Sequence, residues 1–276
     1  MRLKLHVGHG KTGSSYLQSW LAANAEPLSA LHHVYYPTHC PLQGITERRA
    51  GDGRVSMGNG FVLNPVLESG VSIQKKRRWW RRLLRQSGLK EEALQSLVFS
   101  HEPWTRRLPD RFHQLPQLKQ DLNWDGIDLW LLVRDPLDHA ISVYSQMVKR
   151  HGFAGSLEEW LLIYDFPSVL LRFVELVLSH SDRVCLKVDH YGRQRQALLG
   201  QMQGWLQVPT TAEWQTAAKA TVNRSLSLDE LQLMRCLNER LGSKASVVGE
   251  LLVDQMPNLR PASLKISGDS YDRFND

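Results

Sequence analysis

His6-Val7-Gly8-His9-Gly10-Lys11-Thr12-Gly13-Ser14-Ser15-Tyr16-Leu17-Gln18 stands at the start of the chain, and its reading decides the fold. Residues 3–7 are an apolar-rich run suited to a buried strand. Residues 8–13 are dense in glycine, and from Ser14 onward the apolar side chains take helical spacing. Strand, glycine turn and helix in that order make a cradle for an anion. Backbone N–H groups at the helix start, the positive end of the helix dipole and the Lys11 ammonium converge on one spot that favours negative charge.

The triphosphate-binding form of this device is G-x-x-x-x-G-K-[ST]. Gly10-Lys11-Thr12 supplies its end, but the first glycine would have to stand where Leu5 is. The loop before the lysine is too short for that motif, and two hydroxyl residues, Ser14 and Ser15, follow the next glycine. A plain Gly-Lys-Thr-Gly turn with no ligand is the alternative; glycines on both sides of the lysine and paired hydroxyls behind them favour the cradle.

Outward from the loop, strands alternate with helices. The first helix is expected over 14–25, with Leu17, Trp20 and Leu21 inward, ending before Pro27. Strands are expected at 34–36, 97–100, 129–133 and 184–188. Helices are expected at 74–86, 136–149, 156–164, 168–180, 197–205 and 228–241. Asp135-Pro136 is a helix-start signature, and Ser156 with Glu159 spells a capping box. Residues 37–70, rich in Gly, Pro and Asn without sustained period, read as an irregular insertion or lid. The pattern predicts an α/β fold, a three-layer α/β/α arrangement around a central parallel sheet, in one domain spanning 1–276.

The charge is local. Of 34 basic residues, Lys75, Lys76, Arg77, Arg78, Arg81, Arg82 and Arg85 fall in one helix free of acids, and the remaining 27 face 28 acidic residues. Trp79 and Trp80 lie among them, Trp80 on the apolar side with Leu83 and Leu84 and so expected in the core. Cys40, Cys185 and Cys236 form no C-x-x-C pair, which signals neither a zinc knuckle nor a disulfide framework. His6, His9, His32, His33 and His101 have no partner at metal-ligand spacing on a suitable element, so no metal is expected. With no apolar run long enough to span a bilayer and a first strand that leaves no room for a leader, a cytoplasmic protein is expected.

The segment K-T-G-[ST]-[ST]-x-L-Q after a strand ending in H-[IV]-G resembles the 5′-phosphosulfate loop of sulfotransferases that use 3′-phosphoadenosine 5′-phosphosulfate (PAPS), especially the bacterial carbohydrate-type branch. The resemblance implies that Gly10, Lys11, Thr12, Gly13, Ser14 and Ser15 hold the phosphosulfate, with Lys11 also catalytic at the leaving oxygen. Arg134 and Ser142, eight residues apart at a strand end and on the next helix, resemble the pair that holds the 3′-phosphate. Asn223-Arg224-Ser225-Leu226-Ser227 resembles an N-R-S-L-S segment that lies against the nucleotide. Val188-Asp189-His190-Tyr191 is a weakened form of a structural Y-E-D-L segment. The C-terminal G-x-x-G-x-W-K loop of the aryl and steroid branch is absent. A Ser-Glu pair follows the third strand in bacterial relatives; here Ser100-His101-Glu102 departs by one inserted residue, leaving Glu102 and His101 as alternative general bases, Glu102 the first choice.

The function expected is sulfuryl transfer from PAPS, releasing PAP, to a hydroxyl or amine of a carbohydrate or glycolipid. The basic helix is expected to meet an acidic acceptor such as an acidic polysaccharide, and no nucleic-acid partner is expected. Two alternatives stay open. One is a kinase using ATP and Mg²⁺, with Asp135 as a metal-bearing acid. The other is a module that grips nucleic acid or anionic lipid through its basic, tryptophan-bearing helix.

Overall fold

The computed structural model describes residues 1–39, 57–192, 195–210, 214–216, 224–256 and 258–264; residues 40–56 of the expected insertion, Cys40 among them, and Asn223 lie outside these. The chain forms two compact units, one of residues 1–134 and 168–222, the other of 135–167 and 223–276.

The first unit is built on five parallel strands: β1 (Arg2–Val7), β2 (Val34–Tyr35), β3 (Ser96–His101), β4 (Gly126–Val133) and β5 (Cys185–His190), in the order β2-β3-β1-β4-β5. β1 is central, Leu5 standing opposite Phe99 on one side and Leu129 on the other. Alternation along the strands divides their side chains between two helical layers. Leu3, Leu5, Phe99, Leu129 and Leu131 face a core shared with Trp79, Leu83, Leu118 and Phe173. These last come from the helices Ile73–Ser87, Gln114–Asp121 and Phe166–Leu178. On the opposite face Val98, Trp130 and Leu132 pack against Leu17, Trp20 and Leu21 of helix Ser14–Ala23 and Leu198 and Met202 of helix Arg195–Leu206. The result is the three-layer α/β/α fold.

From β1 the strand order runs outward to β3 and β2 one way and to β4 and β5 the other, so the topological switch point lies between β1 and β4. In open α/β sheets the crevice beyond the carboxyl ends at that point is where ligands sit. The glycine loop leaves β1 there, and Arg134 follows β4 there.

Two local features go beyond what the sequence pattern announces. The first helix ends before Pro27 as expected, at Ala23, and a second, Ala25–His32, which the spacing does not announce, carries Pro27 in its first turn, where the missing N–H has no intrahelical role. Asn24 joins them, donating to the Trp20 and Gln215 carbonyls at 2.9 Å each. Within the described part of 37–70, residues 58–67 are buried or half-buried, while Met57 and residues 68–70 are exposed. Val62, Leu63, Val66 and Leu67, on two 3-10 turns, are all buried against the sheet. β2 is only two residues long, so it leaves part of the β3 edge without a strand neighbour. Asn59 fills that edge: its side chain accepts from Ser100 N at 2.8 Å and donates to the Val98 carbonyl at 3.2 Å. Gly58 (φ 87) has no room for a side chain, since a Cβ would stand 2.0 Å from the Ser100 carbonyl oxygen.

The second unit is helical. Asp135 caps helix Pro136–Arg150 by accepting from Asp138 N at 2.9 Å, and Ser156 with Glu159 forms the expected capping box before Leu157–Leu162. A second box, Ser227 with Glu230, starts Leu228–Leu241. Tyr144, Val148, Trp160, Leu231 and Met234 make the core of this unit. Among the described residues no helix is long and apolar enough to cross a membrane.

Candidate active site

The loop leaves β1 pinned to its neighbour strand: Gly8 N donates to the His101 carbonyl at 3.1 Å. A Cβ on Gly8 would stand 2.8 Å from Glu102 Cα, so only glycine lets the two backbones approach this closely. Lys11 (φ 64) and Gly13 (φ 81) both take the left-handed conformation. For glycine this costs little. For lysine it is strain of about 1 kcal/mol or more, of the kind that collects at functional sites. Behind Gly13 the space is closed by Tyr191 and Leu198, whose atoms would meet a Cβ at 2.8 and 2.6 Å.

Helix Ser14–Ala23 begins with a bare N-terminus. Gly13 offers no capping side chain, and no acid stands in the first turn. Tyr16 and Leu17 both donate to the Gly13 carbonyl. The amides of Thr12, Gly13, Ser14 and Ser15 donate to nothing among the described residues. Ser14 Oγ is buried without a hydrogen-bond partner among the described residues. Unsatisfied donors at the positive end of a helix dipole, with a lysine and a buried hydroxyl beside them, make an anion site.

Arg134 closes the other side. Its guanidinium donates to the Lys11 carbonyl at 3.2 Å and lies 5.6 Å over the Tyr191 ring, while Tyr191 N donates to the Val133 carbonyl at 2.6 Å. The strand-end Tyr191 therefore touches both halves of the site, Gly13 below and Arg134 above. Sequence reading treated its segment only as a weakened structural pattern. Ser142, the expected partner of Arg134, lies half-buried on helix Pro136–Arg150 of the second unit.

At the end of β3 the Met57 carbonyl accepts twice, from Glu102 N at 3.2 Å and from His101 Nδ1 at 2.8 Å. A carbonyl only accepts, so Nδ1 carries the proton and Nε2 keeps its lone pair. Burial pushes the His101 pKa down to about 4, the Met57 hydrogen bond opposing the shift and the Arg107 charge adding to it. Glu102 is half-buried beside Gly8. Both expected bases thus flank the loop.

Under the loop runs a buried polar chain that spans three segments distant in sequence. His6 Nδ1 meets Ser100 Oγ at 2.8 Å, and Gln18 Nε2 donates to the same oxygen at 3.0 Å. Burial pushes the His6 pKa down to about 4 as well. The pH consequence has a definite sign. In the unfolded chain both imidazoles titrate near 6.5, so between about 4 and 6.5 the unfolded state binds more protons than the folded one. Stability is complete above about pH 6.5 and falls as the pH drops toward 4, by roughly 3 kcal/mol for each histidine. Urea midpoints at pH 7, 5.5 and 4.5 check this: His6→Gln should flatten the fall, and a midpoint constant across the window contradicts it.

Arg224 is held within its own unit. It is 7% exposed and forms a two-bond ion pair with Glu230, at 2.7 and 2.6 Å, and it also donates to the Ser225 and Leu252 carbonyls at 3.0 Å each. Its two terminal nitrogens bond inside the second unit, while its Nε is buried without a hydrogen-bond partner among the described residues. Arg224→Lys keeps the charge but loses the planar fork, and is expected to cost about 2 kcal/mol of stability. Denaturant unfolding measures that cost; a parallel PAP titration should give an unchanged Kd, and a tenfold weaker Kd would return Arg224 to the nucleotide.

The basic helix also differs from expectation in part. Lys76 is buried in an ion pair with Asp121 at 2.6 Å, and Trp79 joins Trp80 in the core, their ring nitrogens donating to Val62 O and Glu91 Oε1. Lys75, Arg77, Arg78, Arg81 and Arg85 remain exposed and Arg82 half-buried, and Arg78, Arg81, Arg82 and Arg85 line a shallow surface groove. Asp135, the acid of the kinase alternative, spends its side chain on capping its own helix. Among the described residues no three His, Cys, Asp or Glu side chains gather as a metal-ligand set.

A scan against protein-family models gives no match, and a search of curated proteins gives none. The functional reading therefore rests on the short motifs and on the geometry they adopt.

Proposed function

We propose that the protein is a sulfotransferase that moves the sulfuryl group of PAPS to a hydroxyl or amine of an acceptor, a carbohydrate or glycolipid. The observation that carries this is the joint between loop and strand end: a left-handed Lys11 before a bare helix N-terminus, its carbonyl held by Arg134. One anion fits the helix start, and a second, on the same nucleotide, fits a guanidinium in the same crevice. PAPS has both; ATP lacks the 3′-phosphate. The loop spacing and the use of Asp135 as a cap weigh against a kinase. Burial of both tryptophans removes the aromatic half of a nucleic-acid grip.

The transfer is in-line. The acceptor oxygen attacks sulfur, the bond from sulfur to the bridging oxygen breaks, and that oxygen departs on PAP with the electron pair. Lys11 and the loop amides neutralise the leaving oxygen. Loop and Arg134 orient the donor. His101 Nε2 takes the acceptor proton; although Glu102 was the first choice from sequence, the fixed tautomer of His101 favours it, and at a pKa of about 4 it has the basicity of a carboxylate. The test is transfer of ³⁵S from labelled PAPS to a panel of sugars without added metal. Labelled ester and PAP in equal amounts support the reading; label lost from PAPS only at the buffer rate across the panel counts against it.

The arginine face is proposed to meet the anionic acceptor. Counter-ion release then makes acceptor affinity fall steeply with salt, and replacing Arg78, Arg81 and Arg85 with glutamine flattens the slope. Apparent KM between 50 and 300 mM NaCl checks this; identical slopes for variant and wild type refute the contact.

A further inference from the structure

A cleft of about 270 Å³ opens beside the end of β3, lined by Asn64, His101, Trp104, Arg107, Asp110 and Arg111 among others. It lies wholly within the first unit, and His101 belongs both to its wall and to the corner that holds Gly8. The volume is near the low end for ligand pockets, roughly 300 Å³, and suits a single sugar-sized group rather than a length of polymer.

Its charges are placed asymmetrically. Trp104 and His101 are buried and meet edge to face, with centroids 5.4 Å apart, so the floor is aromatic and neutral. Arg107 and Arg111 are exposed on the wall, and among the described residues neither forms an ion pair within 4.0 Å. Asp110, also exposed, is the only acid in the lining among the described residues. Two cations against one carboxylate leave the cleft net positive. A guanidinium not engaged within the protein is the preferred partner for a planar or tetrahedral oxyanion.

We infer that this cleft is the acceptor subsite and that Arg107 and Arg111 read an anionic substituent on the acceptor itself, so the unit of the acceptor that reacts is sugar-sized and already bears a carboxylate, sulfate or phosphate. The inference rests on the sulfotransferase reading and deepens it. In the reaction the hydroxyl of this anionic group attacks the sulfur of PAPS, its proton passes to His101 Nε2, and the sulfur-to-bridge bond breaks to release PAP. The charge that the arginines hold is a spectator that positions the ring over the aromatic floor.

The test uses the full chain with PAP bound, and again without nucleotide, at fixed ionic strength. The probes are methyl β-D-glucuronide, glucose 6-sulfate, glucose 6-phosphate and neutral methyl β-D-glucoside, with affinities taken from ligand-observed NMR titration. At least one charged probe should bind tenfold or more tightly than the neutral one, and the pattern among the three identifies the anion. The R107Q/R111Q double variant should lose that preference while leaving the neutral probe and PAP unchanged. Asp110→Asn should tighten the charged probe a few-fold, a gain that no loss of folding can imitate. Equal binding of all four probes, or a double variant that keeps the preference, overturns the inference. Failure of PAP to bind strikes the sulfotransferase reading instead, and the nucleotide-free titration still decides whether the cleft selects anions.

Discussion

Lys11→Ala is expected to leave the chain folded and to lower sulfuryl transfer from PAPS by a hundredfold or more. The reason is local. Lys11 sits at φ 64, a conformation that alanine adopts at about the same cost, so the loop keeps its shape when the ammonium is removed. On the proposed reading the loop amides and Ser14 Oγ still receive the phosphate, and binding of PAP is expected to weaken less than turnover. What disappears is a preorganised charge at the oxygen that becomes negative in the transition state, a loss of ~3 kcal/mol or more. Lys11→Gly makes a useful companion, because it removes the charge and also frees the backbone: it should bind PAP more weakly than the alanine variant. Circular dichroism with kcat and KM for PAPS checks both, and near-normal turnover in Lys11→Ala contradicts the assignment.

Arg134→Ala is expected to weaken PAP by about a hundredfold, in line with a charge-assisted bond of ~2–3 kcal/mol. Arg134 has a second job, its bond to the Lys11 carbonyl, so some loosening of the loop will affect every nucleotide. The two parts separate by comparison. Adenosine 5′-phosphosulfate has no 3′-phosphate, and its affinity should fall tenfold or less in the same variant. If both nucleotides weaken equally, Arg134 acts only as a brace for the loop.

Much of this was legible in the sequence, and the reasons are physical. Strands buried on both faces read as apolar runs, and a glycine turn between such a strand and a helix has few other uses, so β1, β4 and the loop were recognisable from composition and spacing. Arg134 stands out through the resemblance its spacing to Ser142 carries, and its place directly after the most apolar strand puts it at the carboxyl edge of the sheet. Other features depended on distant segments. Nothing near Asn59 announces that it completes the β3 edge, since that role exists only because β2 ends after two residues. The chain through His6, Gln18 and Ser100 joins three elements whose register only the folded sheet defines. Arg224 is a case of another kind. Its N-R-S-L-S segment resembled a nucleotide contact, while Ser227 and Glu230 just beyond it spelled a capping box whose carboxylate also serves the arginine. Trp79 lies between the apolar and basic sides of its helix, so periodicity alone left it undecided until Val62 O accepted its N–H.

The central claim is that the loop and Arg134 together select a nucleotide with phosphate at both the 5′ and the 3′ position. Calorimetric titration of the unmodified protein tests it most directly, with PAP in the absence of metal and with ATP in the presence of Mg²⁺. The account predicts that PAP binds one to one and at least tenfold more tightly than ATP with Mg²⁺. Tighter binding of ATP with Mg²⁺, or no heat from either nucleotide, would contradict it, the first outcome pointing to a kinase and the second to a surface that binds anions without a nucleotide site.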